Sequence, residues 1–291
     1  MIGGTVCTDE RDREDVRERV QATLARLSRS GALPVLPGVA SAALALARNP
    51  DADFEEIDHL IRTDVGLTAR VLRVANRVGY GRIKPARTVR EAALTIGLRK
   101  TCDLLVLACA RELYDVPVRH AAELWKHALT VAVAAEELAR AVKLPDPAAA
   151  FLPGLFHDVG RIGFLLADEM SYDVIFWLMA NGTGEHRDLE IEWYKFDHAQ
   201  ASAVLAEQWG LEAPLCKAIS AHHAPDPGAA GGRLAEILNA ADGLAYTLGW
   251  GTSERRPPDV GVIQLGLSAA DEAACLARVQ QQVAEHDALL K

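Results

Sequence analysis

The sequence predicts an all-α fold, on three observations. Half of the 291 residues are hydrophobic while aromatics are only 5%, and Ala, Leu and Val dominate, a composition that packs helices rather than sheets of β-branched and aromatic residues. Apolar positions recur three or four apart through most long segments. Pairs such as Thr88 with Glu91 and Ser268 with Asp271 stand where a helix start needs a cap. A chain of this length has room for one large or two modest domains with a substantial core.

Taken in order, residues 1–30 form a charged leader whose Val16, Val20, Leu24 and Leu27 give a helical repeat. Pro34 and Pro37 in "LPVLPGV" stop that helix and let the next begin. Asp53 with Glu56 resembles a capping box ahead of Ile57, Leu60 and Ile61, and Leu67, Val71, Val74 and Val78 continue an inward-facing stripe to a glycine-rich turn. Thr88 and Glu91 repeat the cap before "AALTIGLRKTCDLLVLA", so residues 31–112 read as a lobe of short helices. Tyr114–Val118, with Pro117, marks a joint. Residues 113–250 follow as a second lobe. Within it, "HAAELWKHALTVAVAAEELARAVKL" is a long helix, "AAAFLPGLFHDVGRIGFLLA" the next, and "EIEWYKFDHAQASAVLAEQWGL", "APLCKAISAHH" and "LAEILNAADGLAYTLGW" are helical. Residues 251–291 are a loop and a final helix capped by Ser268 and Asp271. Trp125, Trp177, Trp193 and Trp209 are read as core or lobe contacts rather than platforms for nucleobases.

A net charge of −9 repels nucleic acid and anionic lipid in bulk, so a polyanion would need a local basic patch. Arg82, Lys84, Arg87, Arg90, Arg99 and Lys100 make one, with Arg70, Arg73 and Arg77 upstream. A solvated face or a contact with an acidic neighbour is its ordinary reading, and DNA binding ranks third among the functional readings. The five cysteines (Cys7, Cys102, Cys109, Cys216, Cys275) are scattered and odd in number, which argues for reduced core thiols rather than a zinc module or a disulfide framework. No signal-like or membrane-spanning apolar run is apparent, so the expected location is the cytoplasm.

The chemistry lies in the histidines. Of nine, His59, His120, His186 and His286 sit in polar or helix-terminal surroundings without pattern. The others occur as His127, His157 with Asp158, His198, then His222 with His223, followed by Asp242; Glu123 lies one helical turn before His127. Imidazole and carboxylate hold divalent transition metals, and ligands supplied one or two per helix converge only at the centre of a bundle.

That ordered set resembles the HD superfamily of metal-dependent phosphohydrolases, whose His-Asp pair appears here as His157-Asp158. The upstream stretch "LPVLPGVASAALALARNPDADFEEIDHLIRTDVGLTARVLRVANRVGYG" with "TVREAALTIGLRK" is similar to the narrower HDOD group, in which a short helical lobe precedes a divergent HD lobe. The likeness covers about residues 31–250. It implies that His127, His157, Asp158 and Asp242 are core metal ligands, that His198, His222 and His223 match the extra histidines of HD-GYP phosphodiesterases, and that Glu123 completes a third position. Two or more iron, manganese or zinc ions are implied. Departures are equally specific: "APDPGAAGG" follows His223 where HD-GYP proteins carry Gly-Tyr-Pro, and Arg161 replaces the usual lysine. The resemblance therefore implies first a signalling module acting through a protein partner or a nucleotide or cyclic dinucleotide ligand, while charge and the lack of a long apolar run point to no membrane. Its alternative is a phosphohydrolase in which Asp158 serves catalysis and Arg161 steadies phosphate.

Overall fold

The computed structural model describes residues 10–27, 36–49, 55–56, 68–69, 71–72, 76, 86–251 and 261–290. Among these the regular elements are helices, with no strand. The first four are α1 (Glu10–Leu27), α2 (Gly38–Arg48), α3 (Val89–Ile96) and α4 (Leu98–Leu113). Next come α5 (Ala121–Ala141), a 3₁₀ turn (Pro147–Ala150), α6 (Phe151–Phe156) and α7 (Val159–Ala180). The chain continues with α8 (His186–Tyr194), α9 (His198–Gln208), α10 (Ala213–Ser220), α11 (Gly232–Thr247) and α12 (Ala269–Leu290).

Helix α5 is the axis of the assembly. It packs against α6, α11 and α12, while α9 lies between α7 and α10 with α1 across both α7 and α9, and α2 lies on α4. The reason is in its sequence: Ala128, Leu129, Ala132, Ala135, Leu138 and Ala139 are fully buried, and such small side chains let neighbouring helices approach closely. Helix α12 is fixed to this axis by a buried carboxylate, because Arg278 donates to Glu137 Oε2 at 2.6 Å and Gln282 to Oε1 at 3.0 Å. Burial alone would raise the Glu137 pKa, but these donors and Arg140 bring it below the usual range.

Several expectations meet the structure directly. Thr88 Oγ1 accepts from Glu91 N at 3.1 Å while Arg87 N donates to the Glu91 carboxylate at 2.7 Å, so a cap forms there. Ser268 and Asp271 cap α12 reciprocally. Cys102, Cys109, Cys216 and Cys275 are buried, and burial pushes the Cys102 thiol up to about 12 and Cys216 up to about 11, which leaves both inert. The run 147–180 is long and apolar enough to cross a membrane, but 89% of its tested window is buried inside the protein, so it serves as core.

Others are corrected. The helix expected through "FLPGLFHDVGRIGFLL" breaks at His157 and Asp158, with Asp158 at φ −112°, ψ 7°. The helix expected across 190–211 breaks at Lys195, where φ is 71°, because Asp197 caps a new helix through a capping box with Gln200. Trp125 and Trp209 are core as expected, whereas Trp177 is 63% and Trp193 41% exposed. Of the basic patch, Arg90 pairs with Glu55, Arg99 with Asp146 and Lys100 with Glu136, which matches the acidic-neighbour reading. Arg70, Arg73, Arg77, Arg82, Lys84, Cys7, His59 and the Asp53 cap lie outside the described residues.

Asp103, on α4, is buried with neither carboxylate oxygen hydrogen-bonded among the described residues, and Arg99 Nε stands 4.0 Å away. Burial pushes its pKa up to about 7 against the pull of Lys100 and Arg99. A carboxyl whose folded pKa exceeds its unfolded value of about 3.9 stabilises the fold in acid; that contribution declines as pH rises from about 4 to about 7 and is absent above. Asp103→Asn is therefore expected to raise the unfolding temperature by several degrees at pH 8 and to change it little at pH 4. Thermal denaturation of both proteins at the two pH values is the check.

Candidate metal centre

The break between α6 and α7 builds the site. Successive residues on a continuous helix diverge by about 100°, so His157 and Asp158 could not both face one point from within it. At the break they do: His157 Nε2 lies 3.4 Å from Asp158 Oδ1. His222 and His223 use the same device in the turn after α10, with ring centroids 3.9 Å apart. His198 opens α9, His127 projects from α5 and Asp242 from α11.

Two glycines set how closely these elements meet. A side-chain carbon on Gly154 would lie 2.8 Å from Ala132 Cα, so α6 rests on the backbone of α5 beside His127. One on Gly160 would lie 2.5 Å from His198 O and 2.8 Å from Ala201 Cβ, so α7 rests on α9. Glycine on either side of the His-Asp pair thus draws the pair toward both imidazole-bearing helices.

Hydrogen bonds assign the imidazole tautomers. His127 Nδ1 faces Trp250 O at 3.0 Å, His157 Nδ1 faces Gly154 O at 2.8 Å and His222 Nδ1 faces Ile219 O at 2.7 Å. His198 Nδ1 faces the Glu190 carboxylate at 2.6 Å. Each partner is an acceptor, so each Nδ1 carries the proton and donates it, and each Nε2 presents a lone pair. Those four lone pairs converge on Asp158. His198 Nε2 lies 3.3 Å and His222 Nε2 3.6 Å from Oδ1, and His127 Nε2 lies 3.6 Å from Oδ2. His127 Nε2 is also 3.1 Å from His157 Nε2 and 3.2 Å from Asp242 Oδ1, and His198 Nε2 is 2.6 Å from His223 Nε2. Two ligand sets result, His127–His157–Asp158 and Asp158–His198–His222–His223, sharing one carboxylate.

Facing lone pairs and a carboxylate repel one another unless a cation lies among them. Metal–ligand bonds of about 2.0–2.2 Å place neighbouring donors roughly 3.0–3.4 Å apart, close to the separations here. Asp158 Oδ1 and His222 Nε2 are buried without a hydrogen-bond partner among the described residues, as expected of atoms reserved for an ion. Burial favours neutral imidazole: it holds His157 well below the usual range and His222 at about 4. Burial would raise Asp158, but Arg161 and the surrounding histidines keep it well below its ordinary value, hence ionised. Burial and Arg161 lower His198, and Glu190 with Asp158 more than offset them, which strengthens it as a donor.

The structure therefore gathers His127, His157, Asp158, His198, His222, His223 and Asp242. It does not gather Glu123, which is 75% exposed and pairs with His120 Nδ1 at 3.1 Å. Ala121, Leu124 and Trp125 on the same turn are buried, so Glu123 lies on the outward face there and is not brought to the cluster. Arg161 is fully buried and turned inward, its Nε 3.1 Å from Asp158 Oδ2 and a terminal nitrogen 3.3 Å from His198 Nε2. Its positive charge lies against the Asp158 carboxylate from inside the cluster.

Sequence reasoning missed a supporting layer. Glu190 on α8 accepts from His198 Nδ1 and from His198 N at 2.7 Å, receives the Tyr172 hydroxyl, and has His186 Nε2 at 3.6 Å. All four residues are buried. The signal available was His186 placed four residues before Glu190, and it was set aside because the surrounding sequence is polar.

The profile of the HDOD domain family matches residues 33–225. This chain belongs to the HDOD domain family. An HDOD domain protein of unknown function from Geobacter sulfurreducens superposes with a TM-score of 0.74 at 25% identity, covering 95% of this chain and 98% of that one. A candidate phosphohydrolase from Shewanella amazonensis SB2B superposes with the same score at 24% identity over 95% and 98% of the two chains, a likeness of fold. An uncharacterized protein of Treponema pallidum (strain Nichols) is 26% identical over 213 residues, and this HDOD chain, matched over 72% of its own length, spans 42% of that relative.

Gly160→Ala forces a methyl group against the α9 backbone, which cannot yield as a side chain would. The expected cost is about 1–3 kcal/mol of stability, read as a lower denaturation midpoint. An unchanged midpoint contradicts the close approach.

Proposed function

We propose that this HDOD protein is a bacterial cytoplasmic signalling module that holds divalent metal and acts through a protein partner or a nucleotide ligand. The observation that carries the metal is the set of Nε2 lone pairs, fixed by Trp250 O, Gly154 O, Ile219 O and Glu190, facing Asp158 within 3.6 Å. His127, His157, Asp158 and Asp242 would hold one ion and Asp158, His198, His222 and His223 another. Family membership and the absence of a Gly-Tyr-Pro sequence after His223 favour the module over a cyclic dinucleotide hydrolase.

A second reading, a phosphohydrolase, is favoured by the position of Asp158 in both ligand sets. Divalent ions held there supply Lewis acidity toward a phosphoryl oxygen and activate water. The residues' own work is positional. Glu190 holds the His198 ring through Nδ1, Arg161 keeps Asp158 charged, and Asp242, 29% exposed, and the half-buried His223 face solvent.

Elemental analysis of protein purified without chelators is expected to find stoichiometric iron, manganese or zinc, with occupancy strongly reduced in Asp158→Ala. No release of phosphate or linear dinucleotide from a nucleotide panel is expected of the module; turnover abolished by Asp158→Ala would establish the second reading. Metal-free protein that also fails to take up added ions sinks both. Glu190→Gln keeps the side chain's shape but removes its charge, and is expected to weaken metal affinity about 10–100-fold in chelator competition. An unaltered affinity removes Glu190 from the supporting layer.

A further inference from the structure

Away from the metal centre, a cavity of about 450 Å³ opens between α1, α7 and the C-terminal end of α8. Its wall includes Arg19, Asp168, Ser171, Trp193, Tyr194 and Lys195, none of them a member of the ligand sets. Its size falls within the range of small-molecule sites and suits a single nucleotide.

Each wall group presents a distinct chemistry. Asp168 interrupts α7 at φ −157°, ψ 79°, and its Oδ1 accepts from Ser171 N at 3.2 Å, capping the second half of the helix. Among the described residues its other oxygen has no hydrogen-bond partner. Trp193 is 41% exposed, so part of its indole is accessible to a ligand in the cavity. Tyr194 is 92% buried by its 8% exposure, yet its hydroxyl has no hydrogen-bond partner among the described residues. Burial, then the nearby Asp168 carboxylate, raises that hydroxyl above its ordinary range, so it stays a donor. Two cations stand at the rim. Arg19 Nε bonds Asp15 at 3.1 Å in an exposed pair, which contributes little and exchanges readily for a stronger anion, and Lys195 Nζ rests on Glu192 O at 2.8 Å.

We propose that this cavity binds a purine mononucleotide, its base stacked on Trp193 and hydrogen-bonded to Asp168 and Tyr194, its phosphate on Arg19 and Lys195. A flat ring covers the exposed indole, ring N–H groups answer the carboxylate, and a phosphate answers the two cations. The Asp168 oxygen not engaged by Ser171 can accept from the N1–H and amino group that guanine presents side by side, whereas adenine carries no N–H at N1, so guanine is preferred.

Isothermal titration of the full chain with GMP, AMP and inorganic phosphate tests this. GMP is expected to bind in the micromolar range, AMP at least about five-fold more weakly, and phosphate alone not measurably. Trp193→Ala, at an exposed position, and Asp168→Asn, which retains the capping oxygen, are each expected to weaken GMP about ten-fold or more. Asp158→Ala is expected to leave GMP affinity within about two-fold, because the cavity is separate from the metal centre. The proposal is overturned by no heat at millimolar GMP, by undiminished binding in Trp193→Ala, by tighter AMP than GMP, or by binding lost in Asp158→Ala alone.

Discussion

The arrangement of the second half of this protein depends on one electrostatic constraint: an ionised carboxylate, Asp158, buried among imidazole lone pairs. Such a cluster is unfavourable in a helical core without a compensating positive charge. Arg161 supplies one such charge from inside, 3.1 Å away. A single guanidinium cannot face every lone pair, and the unpartnered Asp158 Oδ1 and His222 Nε2 mark where more positive charge belongs. The helices α5, α6, α7, α9, α10 and α11 are held at spacings that keep this group together.

Those spacings are produced by ordinary means. Gly154 and Gly160 remove the side-chain carbons that would hold α6 off α5 and α7 off α9. Alanines along α5 do the same for the surrounding helices. The breaks at His157–Asp158 and at His222–His223 then turn consecutive residues toward one point. Backbone carbonyls released at those turns, Gly154 O and Ile219 O, fix the ring tautomers. Interruption of the helices and orientation of the ligands are the same structural event.

Much of this was legible in the sequence, and the exceptions share a cause. Periodicity identified the helices because burial of one face imposes it, and the order of His and Asp residues pointed to side chains that meet around Asp158 because each helix supplies its own. The break within "FLPGLFHDVGRIGFLL" was not legible, since its apolar pattern continues across it and only tertiary demand for two adjacent ligands interrupts it. Glu123 looked like a ligand because it lies one turn from His127, but spacing along a helix fixes the face and not the depth. Glu190 and His186 escaped for the converse reason: their sequence neighbours are polar, while their surroundings are the interior. Trp193 reads by residue type as a core or lobe contact, and residue type says nothing of the groove beside the kink in α7.

The short helix α8, nine residues from His186 to Tyr194, touches both regions of interest. Glu190 in its middle steadies an imidazole of the His/Asp cluster, and Tyr194 at its end walls the cavity under α1. Its nine residues thus serve two neighbourhoods with different side chains, Glu190 inward and Tyr194 at the exit, so a substitution in one neighbourhood leaves the groups of the other in place.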